Sequence, residues 1–98
     1  MQSIDSIKSV VAPIAKVYGI KKVYLFGSYA KGTANADSDV DILIEKGKPL
    51  SLLGLSGLLQ DIKEALNLPV DIVTTASLKG EFREAIKGTE ILIYEEQR

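Results

Sequence analysis

Three aspartates stand inside apolar segments of this 98-residue chain. Asp39 and Asp41 flank Val40 and lead into Ile42-Leu43-Ile44, and Asp71 lies between Val70 and Ile72. Side chains alternate between the two faces of a strand, so Asp39 and Asp41 point the same way, with Cα atoms roughly 7 Å apart at a rise of ~3.3 Å per residue. Val40, Ile42 and Ile44 then point into a core. If the strand of Asp71 is a neighbour of the strand of Asp41, three carboxylates converge on one face. Close like charges resist joint ionisation, and a divalent cation removes that conflict. Two cations about 3.5–4 Å apart could clamp the attacking and leaving oxygens of a phosphoryl transfer. Any one of these aspartates alone is better explained as turn chemistry or a polar residue on an exposed sheet face. The set is not, because acidic residues are poor strand formers.

A glycine-serine pair, Gly27-Ser28, follows the apolar stretch Val23-Tyr24-Leu25-Phe26. Glycine allows a ligand to approach the backbone closely. Ser28 could cap a following helical turn, and free N–H groups at such a turn suit a phosphate. Two better-known motifs fail here. Gly27 and Gly32 have P-loop spacing, but Thr33-Ala34 follows in place of the Lys-Ser/Thr that grips phosphate and metal. Asp37-x-Asp39-x-Asp41 opens like a calcium-binding EF-hand loop. That loop needs Gly at its sixth position and Glu at its twelfth, where this chain has Ile42 and Lys48.

The elements that must position these residues can be traced along the chain. Ile4, Ile7, Val11, Ile14 and Tyr18 are spaced as one face of a helix. Pro13 interrupts that pattern and predicts a kink or a break, and Gly19 reads as the stop. Residues 23–26 and 39–44 read as strands. Between them, Gly32, Asn35 and Asp37 are turn residues around at most a short helix. A leucine-rich helix is predicted from Leu50 to Leu66. Its core stripe would be Leu52, Leu55, Leu59, Ile62 and Leu66, with Leu50, Leu53 and Leu58 off the stripe. Asn67 and Pro69 stop it. Residues 70–73 form a third strand, 79–87 a short helix with Phe82 and Ile86 inward, and 91–94 a last strand. The expectation is a single α/β domain over residues 1–98, with helices packed on a small sheet.

Composition narrows the chemistry. The chain has neither cysteine nor histidine. That removes disulfides, thiolate zinc sites, cysteine nucleophiles and Ser-His-Asp catalysis. A metal must be held mainly by oxygen, which favours magnesium or manganese. With 12 basic and 13 acidic residues the net charge is −1, so no general grip on nucleic acid or anionic membrane is expected. No apolar run approaches the ~20 residues of a membrane span, and the start Met-Gln-Ser-Ile-Asp does not look like a signal peptide. A cytoplasmic protein is expected.

The stretch Leu25-Phe26-Gly27-Ser28-Tyr29-Ala30-Lys31-Gly32, followed by Ser38-Asp39-Val40-Asp41-Ile42-Leu43-Ile44, resembles the signature of the polymerase β-like nucleotidyltransferases. It is most similar to the minimal nucleotidyltransferase (MNT) branch. Leu68-Pro69-Val70-Asp71-Ile72-Val73 matches the segment with that family's third carboxylate, so the likeness covers nearly the whole chain. It implies a small mixed β-sheet packed with helices. Asp39, Asp41 and Asp71 would be catalytic and would hold one or two magnesium ions, or manganese. Asp71 would act as ligand or base toward the acceptor hydroxyl. Gly27 and Ser28 would hold the triphosphate of ATP. The reaction would be in-line attack of a hydroxyl on the α-phosphate, with pyrophosphate leaving. Lys31 stands where the family commonly has arginine and lacks the planar guanidinium fork.

Members of this branch are often paired with helical HEPN-type toxins, for which they serve as antitoxins, some by adding AMP to a toxin tyrosine. The resemblance therefore implies a HEPN-type partner. The surplus leucines Leu50, Leu53 and Leu58 suit an apolar docking face, a homodimer or a second internal packing contact. An antitoxin that only masks its partner is the alternative from a different class. A transferase acting on a small molecule is a third reading, against which the short chain argues. A template polymerase fits least, since no basic groove is evident.

Overall fold

The computed structural model describes residues 3–75, 80, 84 and 88–97. Helix α1 (Ile4–Val17) begins at Ser3, whose Oγ accepts from the backbone N–H of Ser6 at 3.1 Å. This satisfies one of the free donors at the helix start. Asp5 in the first turn and Lys16 in the last complement the helix dipole. Ile7, Val11 and Ala15 are buried, with Ile4, Val10, Ile14 and Tyr18 packed at the margin. The helix runs through Pro13 without a break. Pro13 and Ser9, whose carbonyl loses its partner, are both exposed, so water can take that carbonyl. Gly19, at φ +70°, ends the turn as expected.

Four strands follow: β1 (Ile20–Phe26), β2 (Val40–Lys46), β3 (Val70–Thr74) and β4 (Ile91–Glu95), with the short helix α2 (Gly27–Lys31) after β1 and α3 (Leu52–Leu66) after β2. The sheet order is β3-β2-β1-β4. β1 pairs antiparallel with β2 and β4, whereas β2 and β3 are parallel because α3 carries the chain back between them. This is the mixed sheet with packed helices that the resemblance implied. Of the helix expected over 79–87, only residues 80 and 84 are described, both helical; Phe82 and Ile86 lie outside the described residues.

Alternation sorts the strands as the sequence predicts. Val40, Ile42 and Ile44 of β2 are fully buried with Val23, Leu25 and Ile93, under α1 and α3. The opposite face holds a smaller apolar cluster, Phe26 and Leu43 with Tyr24 and Val73.

The leucine stripe of α3 differs from expectation. Leu58, Ile62 and Leu66 are buried and Leu55 and Leu59 pack at the edge, while Leu52 is 80% exposed. Leu58, expected off the stripe, is at the centre of the core, and Leu50 packs against it. The first turn of α3 carries no buried residue. Leu52 and Leu53 therefore meet the helical period but not the core. Ser51 caps this turn, its Oγ accepting from Gly54 N–H at 3.0 Å, and Asn67 ends the helix in the left-handed region at φ 55°.

Candidate active site

Two backbone features bring the carboxylates together. The N–H of Val40 donates to the carbonyl of Pro69 at 2.9 Å, tying the start of β2 to the start of β3. The parallel register that follows makes Asp41 and Asp71 direct partners, one strand spacing (about 4.8 Å) apart along the sheet. Asp39 lies just ahead of β2 rather than inside it. The preceding turn explains why. Asn35 Oδ1 accepts from Asp37 N–H at 2.8 Å, and Ser38 Oγ accepts from Asn35 N–H at 2.9 Å. This Asx-type turn keeps the chain out of the ladder until Val40.

Asp41 is half-buried, and Asp39 and Asp71 are exposed. The Asp41 carboxyl is raised above the ordinary carboxylate range, first by burial, then by the charges of Asp71 and Asp39. Both causes disfavour its ionised form. Among the described residues no three acidic side chains already close around a common point as a metal cage. The backbone brings Asp41 and Asp71 side by side, and the charges of Asp71 and Asp39 both act on Asp41. An all-carboxylate set with one member resisting ionisation fits a hard divalent cation.

Gly27 has a different reason to be glycine from the one its sequence context suggests. Phe26 pairs with Asp41 across β1 and β2, so the chain leaves β1 beside that carboxylate. A Cβ at Gly27 would lie 3.1 Å from Asp41 Cγ and would overlap Oδ2, and the backbone there has φ +72°. Both conditions demand glycine. Ser28 is not a cap: α2 starts at Gly27, the capping position is Phe26, and no side chain caps it. The serine hydroxyl sits two residues too late for that role, within the first turn. Two positioning residues escape a reading of the sequence. Tyr29, only 4% exposed, anchors α2 in the main core, and the Pro69 carbonyl sets the register. The aromatic at position 29 was a weak signal, and a backbone carbonyl gives none. Lys31 is exposed at the end of α2.

Residues 9–98 match the family described as Polymerase beta, Nucleotidyltransferase. The chain belongs to that family. This nucleotidyltransferase is 37% identical over 84 residues to a candidate protein adenylyltransferase of Methanocaldococcus jannaschii, covering 86% of this chain and 90% of the relative. It is 33% identical over 90 residues to the protein adenylyltransferase MntA of Thermococcus cleftensis, covering 88% and 91%. Among solved structures it resembles a chain of a toxin–antitoxin complex with AMP-PNP, at TM-score 0.78 and 24% identity, over 92% of this chain and 74% of that one. A chain of the complex of the tri-AMPylated Shewanella oneidensis HEPN toxin with its MNT antitoxin superposes at TM-score 0.73 and 19% identity, over 95% and 73%. At these identities the structural likenesses establish the nucleotidyltransferase fold. Among the described residues no helix is long and apolar enough to cross a membrane.

Proposed function

We propose that this nucleotidyltransferase transfers AMP from ATP to a hydroxyl group, a tyrosine in the first instance, of a HEPN-type partner protein, and so acts as its antitoxin. The observation that carries the reading is the direct pairing of Asp41 with Asp71, with Asp39 beside them and Gly27 pressed against Asp41. Relatives named protein adenylyltransferases and a structural neighbour containing an AMPylated HEPN toxin support the donor and the acceptor class.

In this reading Asp39, Asp41 and Asp71 hold magnesium, with manganese as a substitute. When bound, the metal offsets the charge that develops on the α-phosphate and the departing pyrophosphate. Gly27 and Ser28 lie next to Asp41 and hold the triphosphate, with Gly27 leaving the backbone bare on that side. Asp71 is exposed on β3 beside Asp41, and serves as ligand or as the base that takes the proton of the acceptor hydroxyl. The hydroxyl oxygen forms a bond to the α-phosphorus as the bond to pyrophosphate breaks. Positioning and charge neutralisation supply the acceleration.

The test is to incubate the protein and the partner encoded beside it with magnesium and ATP labelled at the α-phosphate, next to the Asp39→Asn, Asp41→Asn double variant. Label on the partner from the native protein alone, with the variant down by about a hundredfold or more, is the expected result. A tight complex with no label from either protein would replace the transferase reading with an antitoxin that masks its partner.

A further inference from the structure

At the end of the sheet away from the carboxylates, the turn after α1 and the loop into α3 meet. Ile20 pairs with Lys46 at the last rung of β1 and β2. The aliphatic stem of Lys48 lies across Gly19, at 3.1 Å from the position a Cβ would take. Tyr18 packs over Gly57, and its hydroxyl donates to Asp61 Oδ2 at 2.6 Å. Leu53, Gly57 and Asp61 follow at intervals of four, so they share one face of α3. Leu53 is therefore one turn beyond the contact with Tyr18, on the side of α3 that faces the end of α1.

This pole carries the most exposed large apolar side chains among the described residues: Leu53 at 84%, Val17 at 83% and Leu52 at 80%. Around them Lys16, Lys46 and Lys48 are exposed, and none has an ion-pair partner among the described residues. Of the carboxylates at this end, Asp61 bonds Tyr18, Glu95 pairs with Lys22 at 3.4 Å, and Glu45 and Glu96 are partly buried. Apolar side chains rimmed by polar ones mark interaction sites. Like charges across a two-fold axis would repel, so the lysine rim disfavours a second copy of this chain and favours a partner of opposite charge.

We propose that this pole docks an acidic amphipathic helix of a partner protein, with Leu52, Leu53 and Val17 taking its apolar stripe and the lysines its carboxylates. The proposal deepens the transferase reading by naming where the partner is held. Lys46 is five residues along β2 from Asp41, about 16 Å at a rise of ~3.3 Å per residue. The docked helix thus leaves the carboxylates open to nucleotide, and a separate segment of the partner reaches them.

The test uses the intact complex with the neighbouring gene's product. Binding would be followed by calorimetry for the native protein, Leu53→Glu and the double variant Lys46→Glu, Lys48→Glu, with thermal shift by ATP and magnesium as a check that each variant is folded. The expected result is binding weakened by about tenfold or more in both variants, with native binding falling as salt rises and the nucleotide shift retained. Native-like binding in both variants, or no partner binding by the native protein, overturns the docking site. So does native dimerisation by light scattering that Leu53→Glu abolishes, or capture by phosphatidylglycerol vesicles. Labelling of the partner that persists while both variants bind normally would overturn the docking site and leave the transferase reading standing.

Discussion

The two faces of the sheet are built on opposite terms. Under α1 and α3, Val40, Ile42 and Ile44 are fully buried in one cluster with Leu58 and Ile62, and among the described residues no polar residue is buried with them. On the other face the same strand presents Asp41, half-buried, and the carboxyl is pushed toward its neutral form. One face holds the main core; the other has only the small cluster of Phe26 and Leu43 and carries charge that the fold alone has no use for. Such a division is expected where a site is placed on a rigid scaffold and its strain is offset elsewhere.

The contrast is sharpened most by Leu58→Ala against Leu53→Ala. Loss of a fully buried leucine costs about 2–5 kcal/mol. The same truncation at a residue 84% exposed changes stability by no more than about 0.5 kcal/mol. Urea unfolding of the pair reads the difference, and equal losses would show that α3 packs by Leu53 instead.

Gly27→Ala attacks the charged face through its backbone. The substitution meets both a positive φ and the Asp41 carboxylate, for an expected cost of about 1–3 kcal/mol. AMP transfer should fall further than stability alone predicts, because Asp41 must move. A variant with native stability and native transfer would show that the clearance is not needed.

Tyr18→Phe removes the 2.6 Å hydrogen bond to Asp61 that joins α1 to α3. The expected result is a small loss, read as a slightly lower urea midpoint. The Tyr18 hydroxyl is raised above its usual range, chiefly by that bond to Asp61. Its contribution is therefore present below about pH 10 and lost as pH rises through the higher folded value. An unchanged midpoint in Tyr18→Phe would make the bond ornamental.

The smallest expected effect is also the one that separates the faces by sign. The folded-state pKa of Asp41 lies above the unfolded value of 3.8, so the folded chain holds that proton more tightly. Its contribution to stability is fully present below the unfolded pKa and declines as pH rises through the folded one. In chelator, Asp41→Asn should then be at least as stable as the native protein at neutral pH, and its stability should vary less from mildly acidic to neutral pH. Magnesium should raise the melting temperature of the native protein alone. A destabilised Asp41→Asn at neutral pH would mean that this carboxylate supports the fold.

Much of the site was legible in the residues. Alternation in a strand is local, so Asp41 against Val40 and Ile42 announces which face each takes before any neighbour is known. The same holds for the stop at Gly19 and the turn at Asn35, which depend on their own backbone preferences. Ser28 misled because Gly-Ser after a strand looks like a cap, while the backbone enters its helix at Gly27. Leu52 and Leu58 misled because a helix so rich in leucine offers more than one acceptable stripe. Only the position of the sheet beneath it selects between them.

The sequence by itself determined the inventory: oxygen-bearing side chains without histidine or cysteine, Asp41 on the opposite face of its strand from Val40 and Ile42, and an amphipathic α1. Those properties follow from residue types and short-range period. Tertiary structure alone decided that Asp41 faces Asp71, that Gly27 yields its space to a carboxylate, and that Leu58 lies inside while Leu52 lies outside. Each of these joins residues far apart in the chain, and what fixes them is register and packing: the Val40–Pro69 hydrogen bond and the place where α3 crosses the sheet.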